Sequence, residues 1–203
     1  MFTEKIDQLV KDMSCKLITE AHCSGDRVYQ FEDKYILKVS DNVERLRRER
    51  KVNDFLQGKL PVSETVIYEE EKERAFYLKT CVVGEPLLGE YLQDPMKLAK
   101  LLAEGMCMVH SVEILNCDIM NQDSVGNCFI HGDFCLPNIL AKDNHVSGFI
   151  DTEAAGIGDP WMDYAWCIWS FEHNLGTKEY TPLLLKELGI EFDKEKYNRY
   201  TMM

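Results

Sequence analysis

The stretch from His131 to Asp163 constrains this chain more than any other. It reads His131-Gly132-Asp133-Phe134-Cys135-Leu136-Pro137-Asn138, then Gly148-Phe149-Ile150-Asp151, then Gly156-Ile157-Gly158-Asp159-Pro160 and Asp163. Taken singly, an Asn after Pro is a common turn residue, and an Asp closing a strand is a common cap or loop former. Taken together, the order is hard to produce by capping rules: His-Gly-Asp, an Asn five residues after the Asp, and an Asp ending the apolar run Val146 to Ile150. Magnesium takes oxygen ligands in near-octahedral geometry, usually one or two protein side chains plus nucleotide phosphates. Asn138 and Asp151 suit that role. A third carboxylate on the same loop, Asp133, can orient an attacking hydroxyl and accept its proton. The pattern therefore predicts a phosphoryl-transfer site, with His131 holding the loop by hydrogen bonding rather than moving protons.

The segments HGDFCLPN and FIDTEAAGIGDPWMDYAW resemble the aminoglycoside phosphotransferase family, a branch of the protein-kinase-like fold that also includes choline kinases. Val146 to Asp151 and Gly58 to Val62 look most like the aminoglycoside 3'-phosphotransferases. The resemblance spans most of the chain. It implies that Asp133 is the catalytic base and that Asn138 and Asp151 bind Mg2+.

Composition narrows the setting. The 203 residues carry a formal net charge of -12, with 45% hydrophobic and 29% charged residues. That is the make-up of a globular domain, or of two small lobes. The acidic balance argues against nucleic acid, which needs a Lys/Arg surface, and is compatible with a cationic substrate. Eight scattered cysteines without a C-x-x-C pair fit a reducing cytoplasm better than disulfides or zinc. The mixed-charge start lacks a signal-peptide core, and no apolar run approaches a membrane span. We expect a cytoplasmic protein with no nucleic-acid or membrane partner.

Along the chain, Ile6, Leu9, Val10 and Met13 have the spacing of a short amphipathic helix over 4–13. Residues 16–18, 27–31 and 34–39 read as strands, the latter two joined by a Glu32-Asp33 turn. Residues 20–26 read equally as an ordinary hairpin loop or, by the resemblance, as a phosphate-covering loop with Ser24 as a contact. Lys38 interrupts an apolar strand, so it is either an exposed edge charge or a cation turned into a cleft. A helix from Asp41 or Asn42 to Gly58 carries Leu46, Val52, Phe55 and Leu56, and Glu49 falls on that same stripe. A carboxylate facing a core needs a partner. Lys38 is the obvious one, which would reproduce the kinase ion pair that holds nucleotide phosphates; a surface pair of Glu49 with Arg45 is the alternative.

Strands over 62–68 and 75–80 complete the expected N-terminal lobe, residues 1–81. The connector 81–86 resembles the kinase hinge, implying that Thr80 and Val82 offer backbone groups to a nucleotide base and that Ile36 packs on it. Residues 82–203 form the expected C-terminal catalytic and substrate lobe. A helix capped by Asp94 and begun at Pro95 buries Leu98, Leu101, Leu102, Gly105 and Val109, with His110 as a helix-end or surface residue. Residues 111–127 form only a short polar loop where the resembled enzymes carry a helical insertion around the sugar. A helix from Asp159-Pro160 follows, with Asp163 in its first turn as structural support of the catalytic loop. Two helices close the chain, over 178–188 and from Asp193 onward. Glu172, Glu179 and Glu187 are candidates for acidic substrate contacts, though a solvated face is the default for each.

The expected fold is α+β, a two-lobed protein-kinase-like fold with an antiparallel-sheet N-lobe and a mainly helical C-lobe. The expected co-substrate is ATP or GTP. The expected acceptor is an aminoglycoside; the rivals are another small hydroxylated metabolite or amino alcohol, or a nucleotide-binding protein with little catalysis.

Overall fold

The computed structural model describes residues 2–12, 15–23 and 25–202. The chain divides into two compact units, residues 1–57 with 62–82, and residues 58–61 with 83–203. Met13 and Ser24 lie outside the described residues.

The N-terminal unit is a five-stranded antiparallel sheet with a helix on each face. Its elements are α1 (Glu4–Asp12), β1 (Leu17–Cys23), β2 (Asp26–Phe31), β3 (Tyr35–Ser40), α2 (Val43–Leu56), β4 (Thr65–Glu71) and β5 (Arg74–Thr80). The strand order is β1-β2-β3-β5-β4. Period-two alternation decides which side chain meets which helix. Leu37 and Val39 of β3 and Phe76 and Leu78 of β5 join Tyr29, Phe31 and Ile6 in one buried cluster, with Leu9 and Val10 of α1 against it. On the other face Leu46 of α2 packs with Ala75 and Tyr77.

Three details differ from the sequence expectation. β1 runs on to Cys23, pairing Glu20 with Tyr29 and Ala21 with Val28, so most of the expected 20–26 loop is ladder. β4 starts at Thr65 and runs to Glu71, so the expected long turn shrinks to its Lys72-Glu73 tip. Phe55 is half-buried, and Asn53 takes the core position, donating to the Tyr77 hydroxyl at 3.0 Å. As expected, Asn42 caps α2, accepting from the Arg45 amide at 3.1 Å.

The C-terminal unit contains β6 (Glu85–Pro86), α3 (Pro95–His110), β7 (Cys128–Ile130), β8 (Ile139–Lys142), β9 (His145–Phe149), β10 (Gly156–Gly158), α4 (Trp161–Leu175), α5 (Thr181–Leu188) and α6 (Lys194–Thr201). β6, β8 and β9 form one small sheet and β7 pairs with β10 in another. Asp94 caps α3 through the Lys97 amide at 3.0 Å, and all five residues of its expected stripe are buried. Gly105 lets the helix approach closely: a Cβ there would stand 3.3 Å from the Phe134 ring and 3.5 Å from the Phe149 ring. Left-handed Gly176 and Gly189 end α4 and α5. Asp193 caps α6 through the Glu195 and Lys196 amides.

Tyr200 of α6 is buried, and its hydroxyl donates to Asp159 at 2.9 Å. Burial, then the neighbouring Asp159 carboxylate, push the Tyr200 hydroxyl from 10.0 up to about 12. Burial likewise pushes Tyr77 up to about 12. Both favour the neutral phenol in the folded chain. Their contribution is therefore complete below pH 10 and is lost as pH rises through 12. We expect the urea midpoint to fall across that window, and to fall less steeply in Tyr200→Phe; parallel curves for the two proteins would contradict this assignment.

Candidate active site

The site in the C-terminal unit is built from three backbone links. His131 and Gly132 follow β7, and their amides donate to the two oxygens of Asp163, each at 2.8 Å. Asp163 is fully buried in the first turn of α4, where a carboxylate also favours the helix dipole. Gly132 has a φ of +81°, and a Cβ there would lie 2.5 Å from the Ala154 carbonyl oxygen, so no other residue fits the turn that precedes Asp133. The buried imidazole of His131 then ties the loop to the strand end. Its Nε2 bonds the Ile150 carbonyl at 3.0 Å, and its Nδ1 accepts from the Asp133 amide at 3.4 Å. That pair of bonds requires the tautomer with its proton on Nε2.

Asn138 closes the loop from the other side. Its Nδ2 donates to the Asp133 carbonyl at 3.0 Å and to Asp133 Oδ2 at 2.8 Å. Its own carbonyl accepts from the Ile150 amide at 3.0 Å. Asp151 follows in the left-handed region, φ 55° and ψ 53°. Asp tolerates that conformation better than most residues, and such backbone outliers cluster at functional sites. With the Asn138 amide protons committed to Asp133, the remaining donor atom of the side chain is its oxygen. Asn138 and Asp151 thus offer the oxygen donor set that suits magnesium. Burial, reinforced by the Asp133 carboxylate, holds the Cys135 thiol protonated well above the usual thiol range. It is packing, not a nucleophile.

Sequence reasoning missed three contributors here. His110, taken as a helix-end or surface residue, sets its Nε2 3.1 Å from Asp163 Oδ2, making a third contact on that carboxylate. Asn121 docks the 111–127 loop: Nδ2 donates to the Ala154 carbonyl at 2.6 Å, and Oδ1 accepts from the Asp123 amide and the Ser124 hydroxyl. Ser170 of α4 accepts from the Leu136 amide at 3.0 Å. The His110–Asp163, Asn121–Ala154 and Leu136–Ser170 contacts are long-range, and the only local signal was the Asn121-x-Asp123-Ser124 turn. Glu172, a candidate acidic substrate contact, accepts from the Thr181 hydroxyl at 2.7 Å and pairs with Lys178 at 3.2 Å. It ties α4 to the start of α5.

In the N-terminal unit, Lys38 meets both oxygens of Glu49, at 3.1 and 3.0 Å. Arg45 pairs instead with Asp26. A third group joins the ion pair: Lys79, buried on β5, bonds Glu49 Oε1. Register places Lys79 opposite Ile36 and Tyr77 opposite Lys38, so all four share one face of the sheet. Thr80 ends β5, its hydroxyl accepting from the Glu64 amide at 2.9 Å, and Val82 is the last residue of this unit. Ile36, Lys38, Glu49, Thr80 and Val82 thus lie in one unit, and His131, Asp133, Asn138, Asp151 and Asp163 in the other.

An antiparallel sheet flanked by helices, followed by a helical unit carrying His-Gly-Asp, Asn and Asp on loops, is the arrangement of the protein-kinase-like fold. Solved structures agree on the fold. The chain matches the aminoglycoside-3'-phosphotransferase of type VIII at a TM-score of 0.77 and 17% identity, covering 98% of this chain and 97% of that one. It matches aminoglycoside phosphotransferase APH(3'')-Id from Streptomyces rimosus, solved with ADP and streptomycin, at a TM-score of 0.75 and 17% identity, with the same coverages. Residues 119–198 match the model of the phosphotransferase enzyme family. Along nearly its whole length the chain is similar to aminoglycoside 3'-phosphotransferases. It is 27% identical to the probable aminoglycoside 3'-phosphotransferase of Lactococcus lactis, covering 96% of this chain and 92% of the relative. It is 26% identical to the aminoglycoside 3'-phosphotransferase of Enterococcus faecalis, covering 98% and 96%. The Lactococcus alignment extends over 244 residues against the 203 of this chain, so the relative has residues without a counterpart here. In this structure residues 111–127 contain no helix.

Proposed function

We propose that this protein transfers the γ-phosphoryl group of a nucleoside triphosphate, ATP or GTP, to a hydroxyl of an aminoglycoside. The observation that carries the reading is the clamp on Asp133, whose side chain, carbonyl and amide are all held, by Asn138 and His131. In that position the carboxylate aligns the acceptor hydroxyl and takes its proton. The acceptor oxygen forms the new bond to the γ-phosphorus in line with the breaking bond to the bridging oxygen, and the nucleoside diphosphate leaves. Transition states of this kind are loose, so positioning and charge stabilisation supply most of the acceleration. Lys38, braced by Glu49, holds α/β-phosphate oxygens. Thr80 and Val82 offer backbone groups to the base, Ile36 packs on it, and Ser24 contributes a phosphate contact. Magnesium held by Asn138 and Asp151 would neutralise phosphate charge, and the donor set described above fits it.

The acceptor class rests on the relatives and on the net charge of -12, which favours a polycation. The helix-free 111–127 loop favours a second reading, a smaller hydroxylated amine. A cytoplasmic setting fits the thiols at Cys81, Cys107, Cys117, Cys128, Cys135 and Cys167, which form no disulfide. Among the described residues no helix is long and apolar enough to cross a membrane.

The test is nucleotide consumption by the purified protein against kanamycin-type aminoglycosides and a set of smaller amino and neutral alcohols, with Asp133→Ala as the blank. Turnover with aminoglycosides is expected, abolished by a chelator and restored by magnesium. Turnover only with another alcohol would replace the substrate. Turnover with none would remove the kinase assignment.

A further inference from the structure

The ion pair of the N-terminal unit is a triad. Lysine is almost never fully buried unless paired, yet Lys79 is 3% exposed. Its alternation on β5 explains why it points where it does. Phe76 and Leu78 enter the apolar cluster under α1, which leaves Ala75, Tyr77 and Lys79 on the α2 face. There the Lys79 ammonium stands 5.5 Å from the centroid of the Tyr77 ring and reaches Glu49 Oε1, one of the two oxygens that Lys38 also uses. A carboxylate has about four lone-pair sites, so Glu49 accommodates both cations. The two ammonium groups repel each other across the shared oxygen.

We propose that Lys79 is a positioning residue for the triphosphate: by sharing the Glu49 carboxylate it fixes the place of that carboxylate and, through it, of Lys38. The inference rests on the kinase reading above and adds to it a residue that the motif does not contain.

The experiment measures dissociation constants of the full chain for ATP, ADP, AMP and adenosine, in wild type, Lys79→Met, Lys79→Gln, Lys38→Met and the Lys38→Met/Lys79→Met double variant. Loss of a charged hydrogen bond predicts ATP binding weaker by about tenfold in Lys79→Met. Adenosine binding should be unchanged, because a base-and-ribose ligand has no phosphate for Lys38 to hold. The double variant should bind ATP no more weakly than Lys38→Met, since Lys79 acts through Lys38. A merely structural lysine would weaken all four ligands alike. That outcome, an unchanged ATP affinity, or additive losses in the double variant would overturn the inference. Lys79→Gln, which keeps a donor for Glu49 without the charge, serves where Lys79→Met does not fold, and is expected to show a smaller loss that is again confined to the phosphate-bearing ligands. A wild type that binds adenosine and ATP equally would remove the kinase reading itself, whatever the variants do.

Discussion

Asp133→Asn is expected to lower kcat by about three orders of magnitude, the middle of the range for losing a positioned general base. The substitution keeps the shape of the side chain and an oxygen able to accept the 2.8 Å bond from Asn138. The His131 and Asn138 contacts to the Asp133 backbone do not involve the carboxylate at all. The fold should therefore be spared, with a melting temperature close to wild type. Nucleotide binding should also persist, because in the proposed reaction Asp133 addresses the acceptor hydroxyl rather than the phosphates. Steady-state turnover and a thermal melt on the same sample decide it. A variant with near-normal kcat would remove Asp133 from the chemistry, and one that fails to fold would make it structural.

Asp163→Ala should be the most damaging single change to stability. The carboxylate is fully buried and accepts from the His131 and Gly132 amides while meeting His110 Nε2. Truncation leaves two buried amides without acceptors, at about 1–3 kcal/mol each. The expected loss is about 3–5 kcal/mol, comparable to breaking a buried pair by removing one partner. That is a large share of the ~5–15 kcal/mol that stabilises a typical domain. Asp163→Asn should be intermediate, since an amide oxygen serves one of the two amides while its nitrogen opposes the other. Urea unfolding measures the order. In whatever fraction stays folded, kcat should fall more than the KM for nucleotide, because the displaced residues lead into Asp133. Equal stability of Asp163→Ala and wild type would mean that the loop is held by its other contacts.

The two substitutions differ in what makes their residues readable. Asp133, Asn138 and Asp151 lie close in sequence, and the bonds that assemble them run between residues 131, 133, 138 and 150. A site assembled over so short a stretch leaves its spacing in the sequence. The helices were legible for a similar reason. Asn42, Asp94 and Asp193 cap their own helices, and Gly176 and Gly189 stop theirs, through local bonds. The Lys38–Glu49 contact was inferred from one carboxylate on an apolar stripe, where burial demanded a counter-charge.

What escaped was set by register and packing. Whether Lys79 faces α1 or α2 depends on the β3–β5 register, which a one-residue slip would reverse. His110 meets Asp163 across 53 residues and Asn121 meets Ala154 across 33, with no periodicity to announce either. The two-residue β6 and three-residue β7 and β10 are too short to carry a strand pattern. By itself, then, the sequence determined the His131–Asp151 loop proposed to carry the chemistry, the helix caps and the class of fold, because each depends on interactions between near neighbours. Only the tertiary structure decided which buried groups hold that loop and which second lysine shares Glu49, because those follow from where distant strands and helices come to rest.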